Sequence, residues 1–162
     1  MTIVPLRMNE LVGRVVSSLE FQIRKLKVTV SVGELPPCRG DEVQVIQVFA
    51  NLLENALKYL DPSRLGVIAI RGIEDGNRCV YCVEDNGVGI PLEQCEKVFE
   101  LFYRLEPSKT DGEGLGLTII RQILSRLDGD IRVDSTLGEG SRFYVALPRD
   151  KTSQLERTEA SA

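Results

Sequence analysis

Histidine is absent from the chain of 162 residues. Its absence excludes every triad that needs an imidazole, every metal site with a histidine ligand, and a histidine phosphoacceptor within the chain itself. No apolar run approaches the ~18 residues that span a bilayer, and no signal peptide is visible. The expectation is a soluble, cytoplasmic domain with no direct membrane contact. Basic residues never cluster over more than a few positions, and the net charge is -4, so no nucleic acid is expected as a ligand. The P-loop pattern G-x-x-x-x-G-K-[ST] is missing, and so is the alternating βαβ order of a dinucleotide-binding fold. Cysteine is sparse: Cys38, Cys79, Cys82 and Cys95. Cys79 and Cys82 have C-x-x-C spacing, but CVYCVED reads as a strand, on which positions i and i+3 point to opposite faces. They are poorly placed to share a metal or a disulfide, and all four are expected as reduced thiols in or near the core.

The 43% hydrophobic content suffices for one domain with a substantial core. The organising stretch is Gln44 to Leu60, QVIQVFANLLENALKYL. At helical spacing Val45, Phe49, Leu53, Ala56, Leu57 and Leu60 form an apolar arc, while Asn51, Asn55, Lys58 and Tyr59 converge on the other side. Asp41 with Gln44 fits a capping box at the start, and Pro62 ends the helix.

Before it, Leu6 to Lys27 has helical apolar spacing, and KVTVSV (Lys27 to Val32) alternates as a half-buried strand. After it, Leu65 to Ile73 and Cys79 to Glu84 read as strands joined across Asp75-Gly76. Pro91 to Val98 reads as a short helix. Glu106 to Gly114 has no periodicity, Leu115 to Leu127 is helical, and Ile131 to Ser135 with Ser141 to Leu147 forms a hairpin across Gly138-Glu139-Gly140. Residues 149–162 read as a disordered tail, leaving 1–148 as the domain. The order predicts an α+β sandwich of two layers, with helices on one side of a mostly antiparallel sheet.

Two glycine-rich stretches suggest chemistry. Asp85 stands where a buried strand enters Asn86-Gly87-Val88-Gly89-Ile90, and its carboxylate could accept from an exocyclic amine while Gly87 and Gly89 let the backbone approach a flat ligand. The bland alternative is an Asn-Gly turn. Gly112-Glu113-Gly114-Leu115-Gly116-Leu117 precedes a helix, and its N–H groups suit phosphate; the alternative is a flexible glycine linker. The amide oxygen of Asn55 suits Mg²⁺ together with phosphate oxygens. Lys58 could reach a phosphate and Tyr59 a base edge, unless they form a solvated helix end.

Together these stretches resemble the ATP-binding catalytic domain of sensor histidine kinases, within the superfamily that includes gyrase and MutL. NLLENALKY (Asn51 to Tyr59) is similar to the N box, DNGVGIP (Asp85 to Pro91) to the first glycine box and FELFYR (Phe99 to Arg104) to the F box. GEGLGL (Gly112 to Leu117) is similar to the second glycine box, and GEGSRF (Gly138 to Phe143) to the third. The resemblance implies a Bergerat-type sandwich, a mixed sheet of about five strands against three helices. It implies ATP and Mg²⁺ as ligands, with Asn55 on the metal and Asn51, Lys58 and Tyr59 facing the nucleotide. Asp85 would bind the adenine amine, supported by Gly87, Gly89, Ile90 and Ser141. Arg104, Lys109, Gly112, Gly114, Leu115, Gly116 and Leu117 would meet the phosphates, and residues 103–114 would form the ATP lid. Asn51, Asn55, Lys58 and Arg104 would carry catalysis.

The resemblance further implies a longer kinase, of which this chain is a monomeric fragment. Its partners would be a histidine-bearing dimerisation domain and then the receiver domain of a response regulator. Two relatives of the same superfamily compete with this reading: a stand-alone anti-sigma-factor serine kinase and an ATPase of the gyrase or MutL type. Both usually place a Glu four residues before the metal-binding Asn, where it can act as a base. Asn51 occupies that place here, and an amide is no base at neutral pH.

Overall fold

The structure, a computed structural model, describes residues 1–95, 97–99 and 113–150, with side chains of 113–116 excepted. Among the described residues are four α-helices: α1 (Met8–Ser18), α2 (Glu20–Lys25), α3 (Glu42–Lys58) and α4 (Glu113–Arg126). The strands are β1 (Val4–Leu6), β2 (Thr29–Val32), β3 (Cys38–Gly40), β4 (Val67–Asp75), β5 (Arg78–Asp85), β6 (Asp130–Thr136) and β7 (Gly140–Pro148). Five of them form one mixed sheet in the order β2-β4-β5-β7-β6, parallel between β2 and β4 and antiparallel elsewhere. The expected α+β sandwich of five strands against three main helices is what forms. Among the described residues, no helix is long and apolar enough to cross a membrane.

The sheet has a helix-facing side and an open side, set by strict alternation. On β5, Cys79, Tyr81, Val83 and Asp85 all point toward the helices and are buried, and Ile68 and Ile70 of β4 join them. From α3 the core receives Val45, Val48, Phe49, Leu52, Leu53, Ala56 and Leu57, a wider stripe than the sequence arc, with Leu60 only half-buried. Phe49 meets Tyr81 edge-on, the ring centroids 5.8 Å apart. At the start of α3 the Asp41 carboxylate accepts from the Gln44 N–H at 3.0 Å, which is the expected cap.

Several expectations need correction. The helical stretch from Leu6 to Lys27 is two helices that meet at Leu19, and α2 buries none of its residues. Strands β1 and β3, unforeseen, pair with each other in a separate small sheet. They are three residues each, too short to show a period of two. The segment after Pro91 forms only a 3₁₀ turn, Leu92–Gln94, rather than a helix through Val98. The helix placed at Leu115 begins at Glu113, so Gly114, Leu115 and Gly116 lie in its first turn instead of before it. Arg149 and Asp150, assigned to the tail, are packed: the Arg149 N–H donates to the Asn77 carbonyl, and Asp150 is buried 4.0 Å from Arg39. Residues 151–162 lie outside the described part of the chain.

All four cysteines are free and buried, as expected. Cys38, Cys79 and Tyr81 gather at the start of β5. The Tyr81 hydroxyl donates to the Pro36 carbonyl, and the Cys79 thiol donates to the Pro37 carbonyl at 3.3 Å.

Candidate functional site

The far end of β5 carries Asp85, 9% exposed at the point where the strand leaves the sheet. Its Oδ1 accepts from the Gly87 N–H at 2.8 Å. Burial pushes its carboxyl up to about 6, and the backbone N–H groups of Gly87 and Ser141 pull in the opposite direction. Ser141 stands opposite Asp85 in the β5–β7 register and is itself buried. Asp85 is therefore a carboxyl group held largely out of water, with only part of its accepting capacity used among the described residues.

Backbone packing determines the shape around it. An added Cβ on Gly87 would come 2.3 Å from the Tyr59 carbonyl oxygen, one on Gly89 would come 2.2 Å from that of Thr136, and one on Gly140 would come 2.0 Å from that of Asp85. Gly89 and Gly140 also have positive φ, 76° and 132°. The sequence reading assigned Gly87 and Gly89 to close approach of a ligand; in the structure their missing side chains are needed for close approach of the chain to itself. The Val88 N–H donates to the Tyr59 carbonyl at 3.0 Å, and the Gly138 N–H donates to the Val88 carbonyl at 2.7 Å. The C-terminal end of α3, the loop after Asp85 and the β6–β7 turn are thus joined backbone to backbone.

The structure brings Tyr59, Asp85, Gly87, Gly89, Ile90 and Ser141 together at this end of the sheet. Asn55 lies one helical turn before Tyr59, and Asn51 one turn further; both are half-buried, while Lys58 is exposed. Leu117 is buried on α4, which packs against α3. The first turn of α4 includes Gly114, Leu115 and Gly116, and the first N–H groups of any helix lack intrahelical acceptors. Arg104, Lys109 and Gly112, and with them most of the expected lid, lie outside the described residues. Phe99, the start of the expected F box, is buried between Phe143 of β7, at a ring distance of 6.2 Å, and the Arg121 guanidinium of α4, 4.7 Å above its ring.

Three contributors were missed in the sequence. The Asn86 side chain accepts from the Val67 N–H at 2.8 Å and donates to the Leu65 carbonyl at 2.9 Å, stapling the loop to the start of β4. The Asn-Gly pair was visible, but it read as turn chemistry alone. The Ser135 hydroxyl donates to the Gly140 carbonyl at 2.9 Å and accepts from the Ile90 N–H at 2.7 Å, so its 2.8 Å contact with the Ser141 hydroxyl must have Ser141 as donor. Arg64 donates to carbonyls of both loops. No local pattern marks Arg64, whose carbonyl partners are 22, 23 and 74 residues away, or the Ser135 bond to Ile90, 45 residues away.

Among the described residues, no group of three or more His, Cys, Asp or Glu side chains could hold a metal ion by itself. The one hard oxygen ligand proposed, the Asn55 amide, fits Mg²⁺ only if phosphate oxygens and water complete the shell.

Residues 40–151 match the family described as histidine kinase-, DNA gyrase B-, and HSP90-like ATPases. The chain is similar to the phytochrome-like protein Cph1 of Synechocystis, 33% identical over 141 residues, covering 86% of this chain and 19% of that protein. It is also similar to the methanogenesis regulatory histidine kinase FilI of Methanothrix harundinacea, 34% identical over 141 residues, covering 86% of this chain and 16% of that protein. Among solved structures, the catalytic domain of histidine kinase ThkA superposes with a TM-score of 0.79 at 27% identity, covering 92% of this chain and 97% of that one. The chain thus spans less than a fifth of the length of these two curated relatives and nearly all of the solved catalytic domain.

Proposed function

The chain belongs to the histidine kinase-, DNA gyrase B- and HSP90-like ATPases as an ATP-binding catalytic domain of the sensor histidine kinase type, and on that premise we propose that it binds ATP with Mg²⁺ and presents the γ-phosphate to a histidine on a separate dimerisation domain. The observation that carries the reading is Asp85: a buried carboxyl group at the end of a strand, where its Oδ1 accepts from the Gly87 N–H. An exocyclic amine of adenine is a donor that such a group would favour.

In this reading Asp85, with Ser141 and the Gly87–Ile90 backbone around it, recognises the purine. Tyr59 lies along the base or sugar. Asn55 supplies an oxygen to Mg²⁺, whose charge offsets that of the phosphates, and Asn51 and Lys58 line the same helix face. The N-terminal turn of α4, with Gly114, Gly116 and Leu117, receives phosphate oxygens, and Arg104 and Lys109 add cations from the lid. The protein's own contribution to the transfer is positioning and charge neutralisation, and the nucleophile comes from the partner. Asn51 supports transfer to an imidazole over hydrolysis, since no carboxylate stands at its position to activate water or a serine hydroxyl. Passage of the phosphoryl group to the aspartate of a response-regulator receiver domain would follow in the whole kinase.

The test is reconstitution in two pieces. The domain with radiolabelled ATP and Mg²⁺ should neither label itself nor turn over ATP appreciably. Added to a separately produced dimerisation domain from its own kinase, it should label that domain with a phosphate that is acid-labile and alkali-stable, as a phosphoramidate is. An acid-stable label on a serine of another protein would favour the anti-sigma-factor type, and rapid hydrolysis by the domain alone would favour the ATPase type.

A further inference from the structure

Arg64 follows the α3 helix in the short turn Asp61-Pro62-Ser63-Arg64. The helix ends at Lys58, the Asp61 carboxylate accepts from the Ser63 N–H at 2.8 Å and from its hydroxyl, and the Arg64 N–H donates to the Asp61 carbonyl. The turn directs the Arg64 side chain back over the loop that follows Asp85. There its Nε donates to the Asn86 carbonyl at 2.7 Å, and its Nη2 donates to the Gly87 carbonyl at 2.9 Å and to the Gly138 carbonyl at 2.8 Å. The remaining nitrogen lies 3.5 Å from the Asp61 carboxylate. Three of the five guanidinium donors thus end on backbone carbonyls of two different loops, one of them 74 residues away in sequence.

An exposed arginine commonly contributes little through a flexible ion pair. Arg64 differs in its acceptors: fixed backbone carbonyls, two in the loop that begins at Asp85 and one in the β6–β7 turn that leads to Ser141. Gly87, Gly89 and Gly138 have no side chains with which to secure these loops, and Gly87 and Gly89 cannot acquire them without striking backbone. A guanidinium presents its donors as a rigid planar fork spread over three nitrogens, whereas an ammonium offers three donors from one nitrogen on a flexible stem and does not reproduce that spacing.

We propose that Arg64 is a positioning residue for nucleotide recognition: it locks the Asn86–Gly87 backbone to the β6–β7 turn and so holds Asp85 and Ser141 at the spacing the purine requires. The inference rests on the nucleotide reading of the site. It makes Arg64 responsible for how well the purine pocket is formed before ligand arrives, and without contact to the ligand itself.

The test compares ADP binding by the unaltered domain, Arg64→Ala and Arg64→Lys, using calorimetry beside thermal unfolding and amide hydrogen exchange. Arg64→Ala should weaken ADP roughly 5- to 50-fold, the worth of one or two charge-assisted hydrogen bonds. Arg64→Lys should recover only part of that loss. In Arg64→Ala the Val88 and Gly138 amides should exchange faster while amides of central β5 do not. Guanidinium at tens of millimolar should restore ADP affinity to Arg64→Ala, and KCl at the same ionic strength should not. Equal ADP affinity in all three proteins overturns the proposal while leaving the nucleotide reading intact. So does a loss of affinity matched by global unfolding and untouched by guanidinium. No ADP binding by the unaltered domain overturns the nucleotide reading, and this proposal with it.

Discussion

The helix-facing side of β5 has polar groups at both ends, and they are buried in opposite ways. At its start, Tyr81 sits against Cys38 and Cys79 and its hydroxyl donates to the Pro36 carbonyl. Burial pushes the Cys38 thiol up to about 12 and the Tyr81 phenol higher still, so both are neutral at any ordinary pH. At its end, Asp85 is buried to a similar degree, but backbone N–H groups of Gly87 and Ser141 face it and hold its carboxyl to about 6. One end meets its polar groups with carbonyl acceptors and keeps them protonated. The other meets a carboxyl group with N–H donors, which offset part of the upward push of burial. Burial alone therefore does not mark a binding group; the sign of the backbone groups pointing at it does.

The glycines repeat the contrast. A Cβ on Gly72 would meet the Tyr81 ring at 2.8 Å, whereas on Gly87, Gly89 and Gly140 it would meet backbone oxygens at 2.0 to 2.3 Å. The Tyr81 end is packed by side chains and the Asp85 end by main chain.

The largest effect that separates the two ends should be Tyr81→Ala. It removes a fully buried ring and its edge contact with Phe49, at a cost of about 4 kcal/mol in urea unfolding. ADP affinity of the remaining folded molecules should stay within about twofold, a difference too small to reflect any lost contact. A parallel collapse of affinity would mean that the ends are coupled through β5.

Asp85→Asn should act the other way round. ADP affinity should fall about 30-fold, the worth of a charge-assisted hydrogen bond of about 2 kcal/mol. The nucleotide-free domain should meanwhile hold or gain stability in urea at pH 7. The reason is linkage: a carboxyl at about 6 in the folded chain against 3.8 unfolded costs the folded state on the order of 3 kcal/mol once it ionises. Destabilisation with normal ADP binding would make Asp85 a structural residue like Tyr81.

Much of this contrast was legible in the sequence, and the reasons are specific. Helix α3 declared itself because a 17-residue helix samples its period many times and carries its own cap at Asp41. Asp85 was found because it stands where a buried strand runs into a loop with two glycines. The two hairpins were read from the turn signals at Gly76 and Gly138, both of which adopt positive φ, while the mixed sheet of about five strands was implied by the family resemblance. What stayed hidden depended on contacts between distant segments. Strand β3 pairs with β1 and bridges Arg149 through Cys38, and the Arg64 bonds and the Ser135 bond to Ile90 join loops that no local rule connects. The burial of Asp150 beside Arg39 is of the same kind.

A smaller effect is the pH dependence of binding. Between pH 5 and 7 the affinity for ADP should rise by up to about tenfold with an inflection near 6, because only the ionised carboxylate is a full acceptor for the amine. Stability of the free domain should move in the opposite direction, since the folded state holds its proton to higher pH than the unfolded chain. Stability is fully present below 3.8 and lost as pH rises through about 6. Both slopes should vanish in Asp85→Asn; titration calorimetry and urea midpoints at four or five pH values would show whether they do.

The smallest effect is Tyr81→Phe, and it isolates what the phenol contributes. The ring stays, so the packing against Phe49 stays, and only the hydroxyl is lost. The Pro36 carbonyl then loses its donor and Cys38 its hydrogen-bond partner, which should cost about 1 kcal/mol in urea at pH 7. That cost should be the same at pH 6 and pH 8, because neither the phenol nor the Cys38 thiol titrates there in the folded chain. Above pH 10 the gap should close. An unfolded tyrosine ionises near 10.0 while buried Tyr81 does not, so the unaltered protein loses stability as pH rises through that value, and Tyr81→Phe is spared this part of the loss. Nucleotide affinity should be unchanged throughout. A gap that varied between pH 6 and pH 8, or an ADP affinity that followed it, would show that the protonated end of β5 takes part in the work of the charged one.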